Sequence, residues 1–408
     1  MNRDIQWQLQ RKKDSARRLL QNVVTSSPLD KILLDRSRWN RIDEEPTFTL
    51  ELSPKDPKPV ADQKRSGRCW VFSVINMMRI PFMRRYRLDS FRFSANYIWF
   101  WDLYEKYLFF LQRVHNYRNK LLDQNSFERY FILKEPIYEG GDFSMAKNIV
   151  EKYGIVPYSS YKETIHSEHT SELHYILNRK ARSIAYLILE EDQWNIKQWS
   201  RDIFDCLCLF LGSPPLQCTF KGKDFTPLEF YQKKVMPCIN LENFTTVVND
   251  PRHAYHHRYG NPDNGNVWEG ERRNYVNVSW GEMVKMILST LRNKKVPVFI
   301  CCAVDENYFS STTVLDINLE HNFIILERLD KRAMLEMRNI KISHVMIIVG
   351  YDARKKIWKI ENSWGENENM TASDAWLQAN LFEIAVPKSL IPTCPKKMEI
   401  IPIFDMFA

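Results

Sequence analysis

The chain has 408 residues, 44% of them hydrophobic and 26% charged, with a formal net charge of +8. Such a length buries a substantial core, and the composition is that of a globular protein; a disordered chain and a small disulfide scaffold are both excluded. The basic residues come in short pairs, Lys12-Lys13 and Arg272-Arg273 among them, which read first as solvated surface and second as a face attracting polyanions.

The N-terminal residues lack the apolar core of a secretory signal, so export is not expected. The most apolar stretches, Tyr97 to Leu111 and Val296 to Val304, are too short to span a membrane or are broken by Asp102, Glu105 and Lys106. Eight cysteines without a Cys-x-x-Cys pair are reduced-compartment usage, and a cytoplasmic location is expected.

Helical spacing of Ile5, Leu9, Leu19, Leu20 and Val23 opens an N-terminal arm, residues 1–58, that ends in the linker-like passage Pro54 to Pro59. From Cys69 to Met78 the residues are apolar nearly all round, which predicts a buried helix that Pro81 ends or bends. Helical periodicity without turn signals runs from Ser171 to Leu211 and returns weakly from Phe225 to Met236. From Val296 onward short β-rich runs take over, among them His344 to Val349 and Ile357 to Ile360. The fold class is α+β. The expected organisation is a helical half at 59–165, a mainly helical insertion at 166–290 that serves oligomerisation, a β-rich half at 291–390 and a C-terminal arm at 391–408.

Cys69 stands where a glycine-bearing loop becomes the buried helix, and the partial positive charge of a helix N-terminus lowers a thiol pKa. Alone, such a cysteine is a small buried hydrophobe. Gln63, six residues upstream, offers a neutral amide donor for a developing oxyanion; alone it is a loop glutamine. The runs from His344 and up to Asn362 flank the polar turn Asp352-Ala-Arg-Lys355, which predicts an antiparallel hairpin. The two residues are symmetric about Ala353 and are expected directly opposite each other, the amide oxygen fixing the imidazole tautomer.

Gln63, Cys69-Trp70, His344 and Asn362-Ser-Trp-Gly together resemble the papain-like cysteine peptidases. Secreted members carry a disulfide cysteine where this chain has Ser66. Further strings, such as Phe91-Arg-Phe-Ser-Ala-Asn-Tyr, Glu139-Gly-Gly-Asp-Phe and Val248-Asn-Asp-Pro-Arg, are similar in order to the bleomycin hydrolase family of cytosolic cysteine aminopeptidases. The resemblance implies a papain-like two-part fold, with Cys69, His344, Asn362 and Gln63 as the catalytic set. It also implies a homohexamer whose sites face an inner channel, and peptide substrates bound at Gly140, Gly141 and Trp364. The C-terminal arm would lie in the cleft, so that the terminal carboxylate of Ala408 meets the substrate's α-amino group. No cofactor is implied. After Gly365 the chain is shorter than the family pattern, which leaves open the strand beside Asn362.

Two rival readings come from the residues. His253-x-x-His256-His257 and His166-x-x-His169 have helical metal-ligand spacing without the metallopeptidase glutamate. The net charge supports a nucleic-acid-binding protein with weak or residual peptidase activity.

Overall fold

The computed structural model describes residues 15–28, 32, 35–43, 47–52, 61–261, 263–304, 313–319, 329–365, 369–395 and 397–401. The proline-rich passage and Ala408 lie outside the described residues.

The helix expected at Cys69 forms as α1, Cys69–Tyr86, and residues 69–82 are buried on every side. Hydrophobicity all round a helix places it in a core rather than on a surface. Pro81 lies inside the helix without ending it; the burial of this segment offsets the lost hydrogen bond and the steric cost of the ring. Helix α2, Ala95–Asn116, starts at Ser94, whose hydroxyl accepts from the Tyr97 N–H. Helix α3, Phe143–Tyr153, is capped by Asp142 in the same way. The long helical stretch resolves into α4, Ser171–Glu190, and α5, Ile196–Leu211, which both pack on α2.

The strands of one large sheet are β1 Leu50–Glu51, β2 Phe244–Val248, β3 Arg258–Gly260, β4 Asn274–Asn277, β5 Val298–Cys302, β6 Val314–Leu315, β7 His344–Asp352, β8 Ile357–Glu361, β9 Asn369–Ser373, β10 Leu381–Pro387 and β11 Met398–Ile400. Their order is β11-β3-β4-β2-β10-β5-β7-β8-β9-β6, and β1 pairs with β7. Strands β2 to β4 fall within the segment expected to be mainly helical. Their runs, of three to five residues, are too short for sequence periodicity to reveal.

Strand β7 is the axis of the molecule. Val345, Ile347 and Val349 join the helical core around α1, while Met346 and Ile348 join a second core that includes Met283 and Ile287 of the helix Trp280–Ser289. Burial of both faces explains why this strand reads as a continuous apolar run.

The β7–β8 hairpin is present, with a register that differs from the symmetric one. Asp352 pairs with Ile357 and Gly350 with Lys359; after a bulge between Lys359 and Ile360, Ile347 pairs with Glu361. Continued by one residue, this register sets Asn362 opposite Met346. Asn362 is therefore a diagonal neighbour of His344 rather than its direct partner. The cause lies in the turn. Asp352 accepts from the N–H groups of Arg354 and Lys355, and Lys356 takes a positive φ of 53°, so the turn closes one residue later than its composition implied.

Candidate active site

Two short crossings carry the loop before α1 to the end of β8. The Gln63 N–H donates to Ser363 O at 2.8 Å, and the Gly365 N–H donates to Ala61 O at 3.2 Å. Gly365 has φ +63°, and a β-carbon there would stand 2.9 Å from the Asp62 carboxylate, so this position requires glycine. The Gln63 side chain is fixed at both ends: its Oε1 accepts from Ser363 Oγ at 2.6 Å, and its Nε2 donates to Ser66 O at 2.6 Å. One Nε2 proton is then left for another acceptor.

His344 is 3% exposed and Asn362 2% exposed. The His344 Nε2 lies 2.6 Å from Asn362 Oδ1, which also accepts the Ser363 N–H at 2.7 Å. An oxygen already accepting a backbone N–H acts here as acceptor, so Nε2 carries the imidazole proton and Nδ1 keeps its lone pair. The Trp364 ring covers the imidazole with centroids 4.4 Å apart. Although residues 366–368 are outside the described residues, β9 is present and pairs along all of β8, from Ile357 with Ser373 to Glu361 with Asn369. The strand beside Asn362 is thus kept despite the short connection, and Met370 Sδ takes the Asn362 amide N–H at 3.2 Å.

Cys69 is the first residue of α1. The helix N-terminus was expected to lower its pKa, but burial prevails and pushes the thiol up to about 11, while the backbone N–H groups of Val345, Trp70 and Cys69 itself pull it down. Burial likewise pushes His344 down to about 4, against the pull of Asn362. Neither charge is favoured alone in so dry a site.

Cys69, His344, Gln63, Trp364, Gly140 and Gly141 all line one cleft of about 670 Å³. The two glycines differ. A β-carbon at Gly141 would lie 2.5 Å from two atoms of the Trp70 ring, whereas at Gly140 the nearest atom is 3.9 Å away. The Gly140 carbonyl accepts from Lys106 Nζ at 2.7 Å, so its chain is held from below.

Several supporting residues escaped sequence reasoning. Glu139 accepts the Gly67 N–H at 2.6 Å and its carbonyl accepts the Trp70 indole N–H at 3.2 Å, which fixes the entry to α1. Arg68 is fully buried between Phe72 and Trp99 and pairs with Glu163 at 2.7 Å. The glycine at 67 was the available signal: a β-carbon there would stand 2.8 Å from the Glu139 side chain. Two histidines of the rival metal reading are engaged elsewhere. His256 bonds Glu282 at 2.8 Å and His257 bonds Glu399 at 2.5 Å, and among the described residues no group of three or more His, Cys, Asp or Glu is placed to hold a metal ion.

The sequence profile of the Peptidase C1-like family matches residues 3–403. The chain is 30% identical to bleomycin hydrolase of Homo sapiens, over 92% of this chain and 89% of that protein. It is also 30% identical to aminopeptidase C of Lactobacillus helveticus, over 88% and 85%. The crystal structure of PepW from Lactobacillus rhamnosis superposes with a TM-score of 0.86 at 26% identity, covering 96% of this chain and 93% of that one. With its α+β architecture and its full-length match, the chain belongs to the Peptidase C1-like family and is a papain-like cysteine peptidase whose relatives bear aminopeptidase names.

Proposed function

We propose that this protein removes N-terminal residues from unfolded peptides by thiol-based acyl transfer, with Cys69 as nucleophile, His344 as base, Asn362 as its orienter and Gln63 as oxyanion donor. The observation that carries the reading is the His344 Nε2 to Asn362 Oδ1 bond of 2.6 Å, because it leaves Nδ1 as the basic nitrogen of a histidine that shares the cleft with Cys69.

In this reading the Cys69 proton moves to His344 Nδ1. The two charges arise together and stabilise each other in a site where either alone is disfavoured. The sulfur attacks the peptide carbonyl carbon, and the resulting oxyanion accepts from the remaining Gln63 Nε2 proton and the Cys69 N–H. Collapse breaks the C–N bond as His344 gives its proton to the leaving amine. Water then attacks the thioester as His344 takes one water proton; the C–S bond breaks, the acid leaves, and His344 returns the proton to the Cys69 sulfur.

The same proposal places the enzyme in the cytoplasm as a homohexamer, with Gly140, Gly141 and Trp364 along the bound peptide and Ala408 as the anchor for its α-amino group. All eight cysteines being free supports a reducing compartment. Hydrolysis of an aminoacyl fluorogenic amide, compared with its N-acetylated form, tests the reading. Turnover of the free amine alone, lost in Cys69→Ala, is expected. Equal turnover of both forms would remove the anchor, and activity surviving in Cys69→Ala would remove the mechanism.

A further inference from the structure

The cleft continues from Gly140 along α2, where Lys106 and Arg113 both line it. Lys106 Nζ lies 2.7 Å from Asp102 Oδ2 and also donates to the Gly140 and Tyr138 carbonyls. Arg273 stands 2.7 Å from Glu383 Oε2 and 3.4 Å from Asp142 Oδ2. The Asp263 carboxylate accepts from the Tyr117 hydroxyl at 2.6 Å. Lys134 and Glu135 are opposite charges exposed at the rim.

Arg113 differs from all of these. Among the described residues no hydrogen bond or ion pair reaches its guanidinium, and its Nε is fully buried without an acceptor. Asp263 attracts it from beyond ion-pair distance, and Phe109, Phe110 and Tyr138 line the same part of the cleft with little to solvate a cation. A buried guanidinium N–H without an acceptor is costly, and the planar donors of this half-buried side chain match a carboxylate better than any neutral group.

We propose that Arg113 is a carboxylate subsite of this cleft, which makes acidic or carboxylate-ended short peptides a preferred substrate class; the inference rests on the peptidase reading given above. Two sources of the carboxylate are compatible with one guanidinium, an acidic side chain and a free peptide C-terminus.

The test compares kcat/KM for two matched pairs: an N-terminal Glu against a Gln fluorogenic amide, and a dipeptide acid against its amide. In the wild-type protein at least one ratio should reach about tenfold or more, the worth of a charge-assisted hydrogen bond. That ratio should fall toward one in Arg113→Gln and be partly kept in Arg113→Lys. The pair that responds identifies the source, and because each ratio is taken within one sample, a lower yield of folded variant does not alter it. Ratios near one in the wild type, or ratios untouched by Arg113→Gln, would overturn the proposal. So would a charge dependence that appears only after removal of residues 402–408, since the guanidinium would then serve the chain's own tail. If no substrate is turned over, the catalytic reading fails. Calorimetric binding of the same peptides to Cys69→Ala, with and without Arg113→Gln, then decides the subsite by the same ratios.

Discussion

Around His344 two influences act on one proton: burial favours the neutral ring, and the Asn362 oxygen favours the charged one. Burial prevails, taking the group from 6.5 to about 4. Between those values an unfolded chain binds a proton that the folded one refuses, so unfolding is favoured by acid. The stability that His344 contributes is fully present above about pH 6.5 and is lost as pH falls toward 4, about 3 kcal/mol in all. Urea unfolding at pH 7.5 and 4.5 should show that His344→Gln removes about 2 to 3 kcal/mol of the wild-type difference; an unchanged difference would mean that the ring charges freely. The buried thiol has the opposite sign. Its pKa rises from 9 to about 11, so its contribution holds below pH 9 and is lost as pH rises toward 11. The candidates Cys69, His344, Asn362 and Gln63 could be picked out of the sequence because the chemistry proposed for each admits few residue types. The buried environment of the thiol was not, because burial comes from the whole surrounding core.

At the scale of elements, the helix at Cys69 and the hairpin at His344 were readable from apolar runs and turn residues. The register between β7 and β8 was not, since the turn closes one residue later than its composition implied and the bulge that follows leaves no mark in composition. The loop Glu139 to Asp142 shows how two adjacent glycines carry different duties. Gly141→Ala would drive a β-carbon into the fully buried Trp70 ring, costing about 1 to 3 kcal/mol, whereas Gly140→Ala should stay within about 0.5 kcal/mol. Denaturant midpoints of the two variants check this, and equal midpoints would show that Trp70 yields. Gly141 thus seats the loop on α1, and Gly140 leaves open the surface that a peptide would approach.

For the whole molecule, the decisive contact joins the helical half to the sheet next to the site. Arg79 on α1 pairs with Glu361 at the end of β8 at 2.7 Å, with both side chains 5% exposed. The pair couples the helix that begins with Cys69 to the residue just before Asn362. Removing one partner leaves a buried charge, so Arg79→Met should cost about 3 to 5 kcal/mol, and adding Glu361→Leu should recover much of it. Chemical denaturation of the single and double variants tests the coupling; additive losses would show that the pair does not act as a unit. Sequence could not join residues 282 positions apart, since no pattern in a single chain marks them as neighbours.

The hairpin that brings His344 into the cleft also ends in an exposed turn, residues 353–356. Eight residues of β7 beyond His344 separate it from that tip, roughly 26 Å at about 3.3 Å per residue. Between them the strand is anchored on both edges by β1, β5 and β8. A fluorophore, an affinity tag or a surface linker inserted at the tip would meet solvent, while the bonded strands keep the inserted length from shifting the His344 end. The fold therefore provides a handle by which the enzyme can be tethered or watched without disturbing its chemistry.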